Sequence, residues 1–542
     1  MTGAEAVAAE LVEAGIDTVF GIPGVYNVAV FEALRARPEI RTVAVRHEQG
    51  AAFMADGFAR ASGRDAACLL LPGCGVLNAL TALSEAYADS SPVLALVSQV
   101  EARYVDAGRG LLHELTGQLA VVGTVAKRSE RVTAARDIPQ VLRASITAMR
   151  SGRRRPVQVE LPVDVQDEEL DWTAPTDVAA LQEPGPSPEE IEAAAAALAG
   201  ASRPLLIAGG GVVASGGQEA LRRLAERLGA PVVTTGMGVT AIAADHPLAC
   251  GVSWIASADV RPLVAASDAV LAIGTRFNAG LTANWELALP ATTVRVDIDP
   301  EEIERNLPFA HKLVGDARLV TGLLDDALAE RGVDRRGSVE PELAAAQRVY
   351  RAAQFARVGT TRPWFDALRA ALPRDGIVSA DMCLFWADML GSFPFTEPRT
   401  MLFPWGMGTL GFGLPAAIGA KLALPDRAVV AVVGDGAFMF TGSELATAVQ
   451  HGLPIPIIVT NNRAFGMIKK QQLERFGADV AVDLATPDFV ALARSFGARG
   501  ELAADPVALG GALRRAFAAD LPTVIEVPWG VTFAEPVSDG RG

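Results

Sequence analysis

Short apolar runs alternate with stretches of helical periodicity along nearly the whole chain. Ala4–Ala14 carries Val7 and Leu11 on one face and predicts a helix that Gly15 stops. Thr18–Phe20 predicts a short strand running into the loop Gly21-Ile22-Pro23-Gly24. Val43–Val45 predicts another strand, followed beyond Glu48 by a helix from about Ala51. Ala67–Leu71 and Val93–Ser98 are continuously apolar, the pattern of strands buried on both faces. Further on, helix 189–199 and strand Pro204–Ala208 lead into Gly209-Gly210-Gly211-Val212-Val213-Ala214. Later still, the strands Ala428–Val433 and Ile455–Thr460 each end in a polar cluster. Strands separated by helices imply an α/β chain of doubly wound parallel sheets.

Two stretches interrupt this alternation. Asp164–Ser187 is rich in Pro, Asp, Glu and Gln, with Pro175, Pro184 and Pro186, and Glu330–Pro341 is charged, with Gly332 and Gly337. Read as linkers, they divide the chain into units at 1–165, 188–330 and 355–530. The length of 542 residues agrees with about three domains.

Composition removes several function classes. The 48 basic and 63 acidic residues leave a net charge of −15, a field that repels nucleic acid and anionic membrane. Arg153-Arg154-Arg155 is the nearest thing to a basic run and reads as a solvated turn. No 18-residue apolar run predicts a membrane span. Cys68, Cys74, Cys250 and Cys383 form no C-x-x-C pair, which argues against a disulfide scaffold or zinc site. The first basic residue is Arg35, so no signal-peptide n-region is expected, and the expected compartment is cytoplasmic. The G-x-G-x-x-A run at 209–214 follows a strand, but the next strand, Pro231–Val233, ends in Thr234-Thr235 without the acidic residue of a dinucleotide site. A tight turn is the favoured reading there.

The strongest local signal is Gly434-Asp435-Gly436 at one strand end with Asn461-Asn462 at the next, Asn462 lying 27 residues after Asp435. Open α/β sheets bind ligands at the carboxyl ends of their strands. A carboxylate, an amide oxygen and a backbone carbonyl form half of an octahedral shell for Mg²⁺, which a diphosphate can complete. The glycines let backbone N–H groups approach phosphate, and a helix near Ser443–Gln450 is placed to add its dipole.

This pair resembles the thiamine-diphosphate (ThDP) binding motif, G-D-G followed by N-N. The segment Arg46-His47-Glu48-Gln49-Gly50-Ala51-Ala52-Phe53-Met54-Ala55-Asp56-Gly57-Phe58-Ala59-Arg60 resembles the catalytic-glutamate segment of acetolactate-synthase-type ThDP enzymes. Phe20-Gly21-Ile22-Pro23-Gly24 and Gly406–Ala420 are similar to further parts of that family. The resemblance covers nearly the whole chain and implies a pyrimidine-binding, a central and a diphosphate-binding domain. It implies that Asp435, Asn462 and the Ala464 carbonyl hold the metal. It implies that Glu48 bonds N1′ of the aminopyrimidine, and that Leu410 bends the cofactor. Pro23, Gly24, Asn78, Gly408, Gly434, Gly436, Ala437, Gly466 and Met467 complete the implied cofactor contacts. The reaction it implies is decarboxylation of a 2-oxo acid, with protonation or carboligation of the resulting enamine. It further implies a homodimer or homotetramer with active sites between subunits.

Departures from the family pattern narrow the reading. Gly73-Cys74-Gly75 stands where Gly-Pro-Gly is common, and Leu71 and Val25 replace the histidine and serine of benzoylformate decarboxylase. Gly108-Arg109-Gly110-Leu111-Leu112-His113-Glu114 replaces the Ala-Phe-Gln-Glu loop of acetolactate synthase and resembles the guanidino-oxopentanoate decarboxylase type. His113 suits proton transfer near neutral pH. Gln471 stands in place of the acceptor-selecting tryptophan. Leu112, His113, Gln471 and Arg276 are therefore the expected substrate pocket. Gly274-Thr275-Arg276-Phe277-Asn278 lacks the aspartates of the acetolactate synthase segment it resembles, which argues against FAD. A 2-hydroxyacyl-CoA lyase and an inactive regulatory protein of the same fold are the alternatives.

Overall fold

The computed structural model describes residues 1–174, 185–253, 259–282, 284–356 and 358–530. Pro175 and Pro184 of the first expected linker lie outside them. Among the described residues the strands form three six-stranded sheets, and every neighbouring pair in them is parallel.

The first sheet contains β1 (Thr18–Gly21), β2 (Arg41–Ala44), β3 (Ala66–Leu70), β4 (Val93–Gln99), β5 (Arg128–Arg131) and β6 (Val157–Pro162), in the order 2-1-3-4-6-5. The second contains β7 (Pro204–Ala208), β8 (Val232–Thr234), β9 (Ala249–Val252), β10 (Ala269–Ile273), β11 (Thr292–Asp297) and β12 (His311–Val314), in the order 12-11-10-7-8-9. The third contains β13 (Ile377–Ala380), β14 (Met401–Leu402), β15 (Val429–Gly434), β16 (Pro456–Asn461), β17 (Arg499–Leu502) and β18 (Thr523–Pro528), in the order 14-13-15-16-18-17. The first and third sheets thus share one topology, whereas the second has the Rossmann order. In the first and third, the direction in which successive strands are added reverses between β1 and β3 and between β13 and β15. Open sheets place ligands at such switch points.

The first and third units share a core. Phe20, Phe53 and Val97 belong to the same buried cluster as Phe412, Val433 and Ile457. Two helices, Glu48–Ser62 and Gly413–Ala423, make the junction. A Cβ on Gly57 would lie 2.3 Å from the Ala416 carbonyl oxygen, and one on Gly419 would lie 2.0 Å from that of Met54. Glycine is required at both positions because backbone meets backbone there. Phe53 and Phe412 close the contact edge to face at 5.5 Å.

Several local expectations change. The helix after Val45 begins at Glu48, not Ala51, because His47 is its N-cap: His47 Nδ1 accepts from the Gln49 N–H at 3.2 Å. The strand before it is a sheet edge with Arg41 and Thr42 exposed. The first expected linker opens as a short helix, Val163–Asp167. Arg153 does not sit on a solvated turn. It is 9% exposed, paired with Glu302 of the central unit at 3.0 Å, and burial pushes its guanidinium down to about 10. Among the described residues no helix is long and apolar enough to cross a membrane.

Candidate active site

One half of the site gathers at the switch point of the first sheet. β1 ends at Gly21, and the loop beyond it is tied by Asn27, which accepts from the Gly24 N–H at 2.8 Å and donates to the Ile22 carbonyl at 3.1 Å. Pro23 is exposed, and Gly24 lies against Leu71 at the end of β3. Glu48 stands in the first turn of its helix, where the dipole favours a carboxylate. It is 7% exposed and accepts a hydrogen bond from Asn78 Nδ2 at 3.0 Å. A Cβ on Gly75 would lie 3.2 Å from Glu48 Oε1, so the turn Gly73–Gly75 forms the floor beneath the carboxylate.

The loop carrying Leu112 and His113 docks on that floor. Glu114 shapes it: its carboxylate accepts from the backbone N–H groups of Gly108, Arg109, Gly110 and Leu111 at 2.7–3.2 Å. These bonds hold Glu114 below its usual range. His113 has a φ of +62°, a left-handed conformation uncommon outside glycine. Its carbonyl oxygen lies 2.5 Å from where a Gly73 Cβ would stand, so that turn must also be glycine. Its ring meets Tyr26 edge to face at 6.0 Å, and its Nδ1 lies 3.1 Å from Cys74 Sγ. Leu112 is 63% exposed.

The other half lies at the switch point of the third sheet. β15 ends at Gly434, and a helix, Asp435–Thr441, begins at once, so the nearest helix starts at Asp435 rather than Ser443. Gly434, Gly436 and Ala437 are buried with it. Asp435 is 2% exposed, and the nearby backbone N–H groups of Gly436, Arg463 and Ala464 favour its charged form. Asn462 Oδ1 accepts from Ala464 N–H at 3.2 Å, and Gly466 leaves room for the Asn462 amide. Asp435, Asn462 and Ala464 therefore meet in one turn. Asp435 Oδ2 is buried with no hydrogen-bond partner, and burial raises this carboxyl above its usual range. A buried, unpaired carboxylate oxygen is costly unless a cation takes it up. A carboxylate, an amide oxygen and a backbone carbonyl are hard oxygen donors, so the chemistry of this turn fits a hard cation. Asn461, the first of the pair, is structural: it donates to Glu526 on β18 at 2.8 Å.

Three carboxylates absent from the sequence reading hold these parts in place. Asp381, fully buried after β13, accepts from Gly411 N–H at 3.0 Å and Gly413 N–H at 2.9 Å, on either side of Phe412 and next to Leu410. Burial pushes Asp381 up to about 7. Glu85, fully buried on the Cys74–Ala88 helix, accepts from Gly406 N–H at 2.8 Å, Met407 N–H at 3.2 Å, Thr409 N–H at 3.3 Å and the Thr409 hydroxyl at 2.9 Å. It thereby fixes the loop containing Gly408, whose φ is +65°, from another domain. Glu444 accepts from Arg46 and His47 N–H, both at 3.0 Å, and so binds the start of the Glu48 helix to the third unit. The visible signal for Glu85 is that it is the one charged residue of the helix Cys74–Ala88.

The remaining expected positions scatter. Met467 is half-buried and Gln471 exposed on the helix Gly466–Phe476. Arg276 lines a cavity of about 330 Å³ where the central unit meets the other two, with Arg153, Gly210, Thr275 and Asp297. Glu48, His113, Asp435 and Asn462 do not line it. Cβ atoms on Gly209 and Gly211 would strike the Gly274 backbone at 2.1 and 2.7 Å, so these glycines serve the packing of two turns.

Comparison with known proteins agrees with this geometry. Residues 1–121 match the N-terminal TPP binding domain of thiamine pyrophosphate enzymes, residues 191–324 their central domain, and residues 382–527 their C-terminal TPP binding domain. A Pseudomonas aeruginosa protein named "probable 2-ketoarginine decarboxylase" is 38% identical over 535 residues, covering 97% of this chain and 94% of the relative. A Methanocaldococcus jannaschii "probable acetolactate synthase large subunit" is 34% identical, covering 97% and 92%. The large subunit of Escherichia coli acetolactate synthase isozyme 3 is 32% identical, covering 92% and 89%. With all three domain types matched in order on a duplicated switch-point architecture, this chain belongs to the thiamine pyrophosphate enzymes, among the 2-oxo acid decarboxylases and acetolactate synthases.

Proposed function

We propose that the protein is an Mg²⁺-dependent decarboxylase of a 2-oxo acid, completing the reaction by protonation. The observation that carries the metal dependence is the buried, partnerless Oδ2 of Asp435 beside Asn462 and Ala464. Asp435, the Asn462 amide oxygen and the Ala464 carbonyl would hold the cation, and backbone at Gly434, Gly436 and Ala437 would face the diphosphate. Gly408, Leu410, Gly466 and Met467 would support the rest of the cofactor. Bound ThDP supplies a carbon nucleophile and an electron sink for loss of CO₂. Glu48, held by Asn78, would keep a proton at N1′ of the aminopyrimidine, with Pro23 and Gly24 beside that ring. His113, fixed by Tyr26 and Cys74, would deliver a proton to the carbon that CO₂ leaves.

Protonation is favoured over carboligation by the histidine in this loop and by the 38% identity to a protein named for decarboxylation. Carboligation is the second reading, supported by the acetolactate synthase relatives. Because the first and third units contribute different halves, we infer an oligomer with each site between two subunits. The test is a screen of 2-oxo acids, 2-ketoarginine included, for CO₂ release with and without an aldehyde acceptor and with and without EDTA. Aldehyde as sole product and loss of activity in EDTA support the reading; a coupled product alone, or full activity in EDTA, overturns it.

A further inference from the structure

The Gly73–Gly75 turn holds a pair of groups that neither cofactor binding nor the proposed proton delivery uses in full. Cys74 is exposed and begins a 15-residue helix, Cys74–Ala88, so its sulfur stands at the positive end of a helix dipole. His113 Nδ1 lies 3.1 Å from Sγ. A thiol needs a proton acceptor and a positive environment to react as a nucleophile, and this geometry provides both. The histidine cannot swing away freely. Its backbone is wedged against Gly73, its ring against Tyr26, and its loop is bound through Glu114. Gly73 N–H also donates to buried Gln118 at 2.8 Å, which fixes the turn from below.

The other three cysteines are built oppositely. Cys68 and Cys250 are buried, and burial pushes the thiols of both, and of Cys383, up to about 12. One thiol in four is thus presented to solvent with a base beside it.

We propose that Cys74 is a redox-addressable thiol whose reversible oxidation by a small peroxide shuts the active site. The thiol gives its proton to His113 Nδ1, and the sulfur attacks one peroxide oxygen. The O–O bond breaks, and the departing hydroxide takes the proton back from the imidazolium and leaves as water. Sulfur is oxidised by two electrons to a sulfenic acid, and peroxide is reduced. A small thiol reverses this, first forming a mixed disulfide with loss of water, then releasing Cys74 to a second thiol. An oxygen added at Sγ, 3.1 Å from Nδ1, crowds a His113 that has no freedom to give way, so the proton delivery proposed for that imidazole stops. Loss of turnover on oxidation rests on the proposed function; the reactivity itself does not.

The test uses the full chain with ThDP and Mg²⁺. Iodoacetamide at neutral pH, read by intact mass and peptide mapping, is expected to add once per chain at Cys74. Its rate should exceed that of free N-acetylcysteine by at least about tenfold and fall by about the same factor in His113→Gln. First labelling at another cysteine, or a rate no faster than N-acetylcysteine, overturns the proposal without needing any variant to fold. Hydrogen peroxide is expected to abolish CO₂ release, dithiothreitol to restore it, and Cys74→Ser to keep its own untreated rate under peroxide. Activity that survives sulfenic acid formation at Cys74 overturns the switch. If no 2-oxo acid is decarboxylated, the labelling arms still decide whether Cys74 is the reactive thiol.

Discussion

Removing the Glu85 carboxylate should loosen the Gly406–Thr409 loop of the third unit from a position in the first. Four bonds reach this one carboxylate, and two of them are short, from Gly406 N–H at 2.8 Å and the Thr409 hydroxyl at 2.9 Å. A hydrogen bond to a charged group contributes about 1.5–3 kcal/mol. Gly406 and Met407 are exposed, so water can replace part of what is lost, and the lower end applies. Glu85→Ala should then cost about 3 kcal/mol. If the loop must order to hold ThDP, that is roughly a 100-fold rise in Kd. Glu85→Gln keeps one oxygen for Gly406 and Met407 and loses the acceptor facing Thr409, so about half the cost, near tenfold, is expected. The assay is calorimetric titration with ThDP at saturating Mg²⁺, with the urea midpoint followed alongside. Wild-type affinity in Glu85→Ala at an unchanged midpoint would refute the claim that this carboxylate holds the loop.

Asp435→Ala should lose ThDP on dialysis against Mg²⁺ buffer, whereas wild type retains it, as read by cofactor absorbance; equal retention contradicts the metal site. Asp381 titrates near 7 in the fold against an ordinary carboxylate value near 4, so the folded chain keeps a proton that the unfolded chain has released. Its contribution to stability should therefore fall as pH rises from about 4 to 7, by on the order of 3 kcal/mol, relative to Asp381→Asn in urea titrations; a pH-independent difference contradicts this. Mixing Glu48→Gln with Asp435→Ala after subunit exchange should restore roughly a quarter of wild-type turnover, because half the dimers then hold one intact site between chains. No recovery would place each site within one chain.

The strands were legible because parallel-sheet strands are apolar throughout: Pro204–Ala208 is found with its predicted bounds, and the other assigned strands shift by a residue or two. The helix start at Glu48 was not, because His47 is an uncommon cap and its role depends on its ring orientation. Asp435, Asn462 and Ala464 could be read because the whole turn is local to two adjacent strands. Arg153 could not, because its partner Glu302 is 149 residues away. The same holds for Glu85 and Glu444, whose partners lie in another domain. Arg276 was expected in the substrate pocket on its segment alone, and it lines the interdomain cavity. The Cys74–His113 contact required the turn and the loop to be docked, although each stood out as a departure from the family pattern.

The account turns on what Glu48 does. Glu48 is 7% exposed and bonded by Asn78, and the role proposed for it is control of a proton on the aminopyrimidine rather than binding of the diphosphate. Hydrogen–deuterium exchange at C2 of bound ThDP, followed by NMR after acid quench, reads that role without any substrate. Glu48→Gln should slow exchange by roughly 100-fold or more while changing ThDP affinity little. Exchange at the wild-type rate, with the cofactor bound, would contradict the account.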